Sequence, residues 1–132
     1  MDSKRFKQRY EHFQEALARL EEAVELKPKD RLALDGLVQR FEFSFELAWK
    51  VLKDWLNYKG FEDSAPRDVI QKAFQESLLE DFEGWLKMLE LRNISSHEYS
   101  LEKADQLIEL IQKKFYLLLQ DLKNTLEKHI DE

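Results

Sequence analysis

The residues whose side chains are best suited to take part in a reaction lie in the eight positions from Arg92 to Tyr99. Besides the arginine and the tyrosine, this stretch holds an amide at Asn93, a pair of serines that ends at Ser96, and a histidine at His97. A guanidinium can bind a phosphate through two parallel hydrogen bonds and stabilise extra charge on it in a transition state. An imidazole can take or give a proton near neutral pH. Arg92 and His97 together therefore suit the cleavage of a phosphodiester.

The spacing of Arg92 and His97 decides whether their side chains can meet. Five residues on a straight helix correspond to about 140° of rotation, so the two would lie on different faces. A helix that breaks between Ile94 and Ser96 would let them converge, with Asn93 and the serines supplying hydrogen bonds. If the 2′-hydroxyl of an RNA attacks its own phosphate, the reaction needs neither a protein nucleophile nor a metal. The alternative is a helix junction at which these residues only cap and pair.

Apolar residues at spacings of three and four predict helices on both sides of this stretch. The segments with that period are residues 3–26, 31–59, 64–77, 81–93 and 100–126. Asp30 and Asp81 are placed to cap the second and fourth helices, and Pro66 stands in the first turn of the third. Gly60 stands where the second helix should end. We expect one all-α domain over residues 1–132, an antiparallel up-and-down helical bundle of about five helices.

The composition limits the class of protein. The 132 residues are 43% hydrophobic and 36% charged, with three Gly and two Pro, which fits a folded helical chain. No cysteine is present, and of the three histidines His12 and His129 are expected at the surface, so we expect no metal site and no cofactor. No apolar run resembles a membrane span or a signal peptide, which predicts a cytoplasmic protein. The net charge of −6 argues against an extensive nucleic-acid-binding surface but allows a local basic site.

The second segment is apolar on more than one face, because Phe43 and Leu47 widen its main stripe. Such a helix is buried against other helices of the chain or against a second subunit, which motivates a homodimer. Its tryptophans, Trp49 and Trp55, and Trp85 of the fourth segment fit the core or a dimer interface better than base stacking. Glu46 either forms a surface pair with Lys50 one turn later or reaches Arg92 from a buried position.

Three blocks of the sequence resemble one family. The residues Arg92-Asn93, His97 and Tyr99 resemble the R-x4-H-x-Y signature of HEPN domains. Residues 40–53, and residues 64–74 with Trp85 and Met88 after them, resemble the nucleotidyltransferase substrate-binding proteins, a branch of that superfamily. The likeness follows the chain in order over nearly its whole length.

The resemblance implies a helical homodimer that is paired with a minimal nucleotidyltransferase as a toxin–antitoxin system. The chain would be a metal-independent endoribonuclease acting on RNA, with Arg92 and His97 as its catalytic pair. The partner would transfer AMP to Tyr99 and so silence the nuclease, because the added phosphodiester would compete for Arg92. The alternative within the same family is a non-catalytic subunit that binds a nucleotide or another substrate of the transferase.

Overall fold

The computed structural model of the protein describes residues 3–26, 28–92 and 101–130, and all regular structure in these ranges is helical. The helices are Ser3–Val24 (α1), Arg31–Tyr58 (α2), Pro66–Gln75 (α3), Phe82–Leu91 (α4), Leu101–Leu110 (α5) and Tyr116–Glu127 (α6). A π-helical turn, Ile111–Phe115, joins α5 to α6 without a break. The predicted all-α bundle is confirmed. No helix in these ranges is both long enough and apolar enough to cross a membrane.

The helices α1 and α2 pack against each other, and α2 also contacts α3, α5 and α6. The α1 face predicted from the apolar period is buried: Phe6, Tyr10, Phe13, Leu17 and Leu20. Between the two helices, the buried Ser44 hydroxyl lies 3.2 Å from the Ala16 carbonyl and 2.8 Å from that of Arg40. The serine therefore has hydrogen-bond acceptors where α1 and α2 approach each other.

The ends of several helices follow from the local residues that the sequence indicated. Asp30 and Asp81 each accept a hydrogen bond from the backbone N–H three residues later, at 2.8 and 2.9 Å. Pro66 begins α3, where its missing N–H has no cost. Gly60 follows α2 with a φ of +101°, a backbone conformation that glycine adopts most readily. The observed ends of α1 and α3 each lie about two residues before the predicted ones, the usual uncertainty of helix ends.

Aromatic contacts surround α2 and explain its wide apolar surface. The ring of Phe41 stacks on that of Phe115 at a centroid distance of 5.2 Å, and Phe45 packs against Trp85 of α4 at 6.1 Å. Contacts with α1 and α3 cover further parts of the helix. Phe43 remains 58% exposed, so part of the apolar surface is left uncovered within the described chain.

The C-terminal helical segment differs from the single α-helix that the sequence predicts. Leu107, Ile111, Phe115 and Leu119 are all buried and follow one another in steps of four residues. Over that span an ideal α-helix would rotate these positions about 120° away from a common face. The wider π-helical turn at Ile111–Phe115 takes up the extra residue and keeps all four side chains on the core.

Candidate functional site

Arg92 is the one residue of the predicted chemical stretch that the structure describes. It caps α4, and its backbone N–H donates to the Met88 carbonyl at 2.9 Å. Trp85 and Met88 on the same helix are buried, so the end of α4 is fixed against the core. The other predicted residues of the stretch lie outside the described residues: Asn93, Ser96, His97 and Tyr99.

The Glu46 carboxylate links α2 to the side chain of Arg92. Its Oε1 atom accepts a hydrogen bond from Arg92 Nη1 and forms an ion pair with it. Its Oε2 atom accepts a hydrogen bond from the indole Nε1 of Trp49 at 3.0 Å. Of the two alternatives for Glu46, contact with Arg92 rather than a surface pair with Lys50 is therefore the one observed. Both carboxylate oxygens have a donor, and the two donors come from different parts of the fold.

An aromatic contact restricts the arginine on another side. The guanidinium carbon of Arg92 lies 6.0 Å from the ring centroid of Phe45, which is near the limit of a cation–π contact. Phe45 itself is completely buried and packs against Trp85. The Arg92 side chain is 20% exposed, whereas that of Glu46 is 37% exposed. The guanidinium is thus held between a carboxylate and the edge of the aromatic core.

A second carboxylate, that of Glu42, lies one helical turn before Glu46. Burial raises the pKa of Glu42, and the negative charge of Glu46 raises that pKa further. A carboxyl group whose pKa is shifted by burial together with a specific charged neighbour is a candidate functional residue. The charge arrangement on this part of α2 therefore marks it as a candidate for function.

The arrangement holds a permanent positive charge in a defined place. Arginine stays protonated throughout the pH range of proteins, and its planar set of donors matches the geometry of a phosphate or carboxylate. In residues 3–26, 28–92 and 101–130, no cluster of three or more histidine or acidic side chains is arranged to hold a metal ion. In the described part of the site this guanidinium is paired with the Glu46 carboxylate.

The two histidines outside the chemical stretch have different surroundings. His12 is exposed, as the sequence predicts. His129, also expected at the surface, is only partly exposed, and its ring lies 5.2 Å from that of Trp55. The pattern of the sequence did not show this contact, since α2 and the end of the chain meet only in the folded protein.

The tryptophans also divide into two groups. Trp55 and Trp85 are buried in the core, as predicted. Trp49 is only half-buried, and its indole N–H points to a specific acceptor, Glu46. Residues three apart share one face of a helix, so the spacing of Glu46 and Trp49 was a signal in the sequence from which this contact could have been inferred.

The bundle, with an arginine at the end of its fourth helix and the R-x4-H-x-Y residues after it, defines a HEPN-type protein. More particularly, the chain belongs to the family described as "nucleotidyltransferase substrate binding protein like", whose model matches residues 8–128. The resemblance seen in the sequence is confirmed.

Two further comparisons found similar proteins. The chain is 34% identical over 74 residues to a protein of Haemophilus influenzae named "Probable ribonuclease HepT". That match covers 52% of this chain and 51% of the relative, so the chain spans about half the length of this curated relative. A crystal structure of a protein from Thermus thermophilus is similar with a TM-score of 0.77 and 27% identity, covering 91% of this chain and 99% of the other.

Proposed function

We propose that this chain is a metal-independent endoribonuclease toxin of the HEPN type, paired in the cytoplasm with a minimal nucleotidyltransferase that silences it. The observation that carries the proposal is the Arg92 guanidinium, ion-paired to Glu46 at the point where α4 leads into the residues from Asn93 to Tyr99. The name of the Haemophilus influenzae relative supports a ribonuclease.

In the proposed reaction, the RNA supplies its own nucleophile. The 2′-oxygen attacks the adjacent phosphorus and the bond from phosphorus to the 5′-oxygen breaks, which leaves a 2′,3′-cyclic phosphate and a 5′-hydroxyl. His97 accepts the proton of the 2′-hydroxyl, and a proton from solvent reaches the departing 5′-oxygen. Arg92 stabilises the charge on the phosphate, with Glu46 holding it. Asn93 and Ser96 donate hydrogen bonds to the phosphate or keep His97 oriented.

Tyr99 is the proposed point of control. Its hydroxyl would attack the α-phosphate of ATP on the partner enzyme, forming a tyrosyl–AMP bond and releasing pyrophosphate. The added phosphodiester is negative and lies two residues from His97 in the sequence. It would compete with RNA for Arg92 by charge and exclude RNA by bulk. A homodimer that covers the apolar surface around Phe43 is part of the same proposal.

The second candidate is a non-catalytic subunit that binds a nucleotide or another substrate for the transferase. The description of the matching family favours it directly. In that case Arg92 binds a nucleotide phosphate, and His97 transfers no proton. The two candidates therefore differ in whether His97 is needed for a chemical step.

Cleavage of RNA by the purified chain tests the first candidate. His97→Ala is expected to lower the cleavage rate at least about 100-fold, the usual contribution of a general base. His12→Ala is the matched control, because His12 is exposed on α1 and is expected to leave the rate unchanged. The products should end in cyclic phosphate, and a chelator should not slow their formation. Equal cleavage by wild type and His97→Ala would contradict the proposed chemistry.

Intact mass after co-expression with the genetically adjacent nucleotidyltransferase distinguishes the two candidates. We expect a gain of whole AMP units, which Tyr99→Phe prevents and the control Tyr58→Phe does not. The modified protein should no longer cleave RNA. A stable complex without any gain in mass would favour the binding subunit, and the absence of both would refute the pairing.

A further inference from the structure

We propose that Trp49 is a positioning residue of the ribonuclease site: its indole N–H orients the Glu46 carboxylate, and Glu46 holds the guanidinium of Arg92 in one orientation. This inference rests on the proposed ribonuclease function. It assigns a role to a tryptophan that periodicity alone would place in the core or in an interface.

Two hydrogen bonds on one carboxylate carry the inference. Trp49 Nε1 lies 3.0 Å from Glu46 Oε2, and Arg92 Nη1 donates to the other oxygen, Oε1. A single donor would fix only one oxygen and leave the carboxylate able to turn about that contact. Donors on both oxygens fix the plane of the carboxylate. The guanidinium is then restricted by its hydrogen bond from Nη1 to this fixed carboxylate and, on another side, by the ring of Phe45.

The exposure of Glu46 explains why a second donor is needed. Its side chain is 37% exposed, so packing alone does not select one rotamer of a flexible glutamate. Trp49 lies about one turn after Glu46 on the same face of α2 and is half-buried. Its rigid indole is therefore a fixed donor. A tryptophan ring has few rotatable bonds, so holding it in place costs little conformational entropy.

The surroundings indicate orientation rather than stability as the purpose of this contact. An ion pair with a carboxylate this exposed contributes little to folding. The Glu46 charge also disfavours ionisation of Glu42, whose pKa is raised by burial and by Glu46. The residue whose orientation these contacts restrict is Arg92. It is the more buried member of the pair and is bounded on another side by Phe45. A carboxylate with two donors that adds little stability is well suited to aim an arginine.

For a reaction at phosphorus, the orientation of the Arg92 guanidinium affects the rate of the chemical step more than the binding of RNA. Small misplacements of a group that stabilises the transition state cost up to about 100-fold in rate. We therefore expect Glu46→Ala to lower the single-turnover rate of RNA cleavage about 100-fold, and Trp49→Phe, which keeps a ring but loses the N–H, about tenfold. The dissociation constant for RNA should change less than about threefold in both variants.

A double-mutant cycle separates action through Glu46 from any other effect of Trp49. If Trp49 acts through the carboxylate, the double variant Glu46→Ala/Trp49→Phe should be no slower than Glu46→Ala alone. Glu109→Gln is the matched control: it removes an exposed glutamate from an i,i+4 pair with Lys113 on the C-terminal helical segment and should keep the wild-type rate. Additive losses in the double variant, or a wild-type rate for Trp49→Phe, would overturn the inference.

A second measurement decides the inference even if the chain cleaves no RNA. The guanidinium N–H signals of Arg92 can be assigned by NMR from their loss in Arg92→Lys. In wild type and in Glu109→Gln we expect separate Nη–H signals, because the paired guanidinium rotates slowly. Both Glu46→Ala and Trp49→Phe should merge or broaden them. Signals that Trp49→Phe leaves unchanged would refute the positioning role, whereas absence of cleavage with merged signals would refute only the ribonuclease.

Discussion

Two carboxylates of α2 pair with arginines from other helices in the described structure, and the two pairs differ in which partner is more buried. In the pair of Arg9 and Asp54, which are 3.0 Å apart, the carboxylate side chain is 6% exposed and the arginine 30%. In the pair of Arg92 and Glu46 the order is reversed, with 20% exposure for the arginine and 37% for the carboxylate. Arg9 therefore neutralises the charge of a buried carboxylate, whereas Glu46 is the more exposed partner of a largely buried arginine.

This reversal separates stability from function. A carboxylate as deeply buried as that of Asp54 is costly without its partner, so we expect the pair with Arg9 to stabilise the folded state. Glu46 is open enough to water for the loss of its partner to cost little. It is also the carboxylate that carries a neighbouring glutamate and an indole donor. Effects on rate should therefore be associated with Arg92 and effects on stability with Arg9.

The largest expected effect is that of Arg92→Ala on RNA cleavage. Removing a group that stabilises charge in the transition state lowers the rate about 100- to 1,000-fold. The free energy of unfolding should change by about 1 kcal/mol or less, since water can hydrate the Glu46 carboxylate once Arg92 is removed. Single-turnover cleavage and denaturant unfolding of the same preparation measure both. If Arg92→Ala lost stability and kept its rate, the assignment of function to this pair would be wrong.

The next effect is the loss of stability in Arg9→Ala. The change leaves Asp54 buried and unpaired, which should lower the free energy of unfolding by about 3 kcal/mol in guanidinium chloride titrations. Cleavage per folded molecule should stay at the wild-type rate. Adding Asp54→Asn should restore part of the lost stability, because the variant no longer buries a lone charge. A loss below about 0.5 kcal/mol would show that water already solvates this carboxylate.

The comparison also shows what the sequence alone could predict. Asp30 and Asp81 cap their helices through contacts three residues away, so local spacing was enough to locate these helix starts. The position of Arg92 at the end of the fourth helix was likewise a local prediction. Whether Glu46 pairs with Lys50 or with Arg92 depended on how α2 and α4 pack, because Arg92 lies 46 positions away in the sequence. No periodicity reports such a contact.

The π-helical turn gives a second example of this limit. Steps of four residues between buried positions are allowed in an α-helix as well as across a π turn, so the spacing of Ile111 and Phe115 was ambiguous. Contact of this segment with α4 and of Phe115 with Phe41 settles which side faces the core. Pairwise packing, rather than local propensity, decided the geometry at both places.

The smallest expected effect concerns Glu42 and tests the electrostatic side of the comparison. Burial and the charge of Glu46 raise the pKa of Glu42 in the folded protein above its value in the unfolded chain. The protonated form thus favours folding below the unfolded pKa, and this benefit is lost as the pH rises through the folded pKa. At pH 7 the native state must hold a disfavoured charge, but water screens this partly exposed carboxylate. Glu42→Gln should therefore raise the free energy of unfolding by at most about 0.5 kcal/mol.

That gain should shrink as the pH falls through the raised pKa of Glu42, below which wild-type Glu42 is protonated as well. Unfolding titrations at several pH values measure it, and Glu11→Gln on the exposed surface of α1 controls for the loss of a negative charge from an acidic protein. In a Glu46→Gln background the gain should be smaller, because one cause of the raised pKa is gone. A lower stability of Glu42→Gln at pH 7 would mean that the Glu42 carboxylate has a favourable role in the fold. The region around Glu46 would then resemble that of Asp54, and the contrast between the two pairs would rest on Arg92 alone.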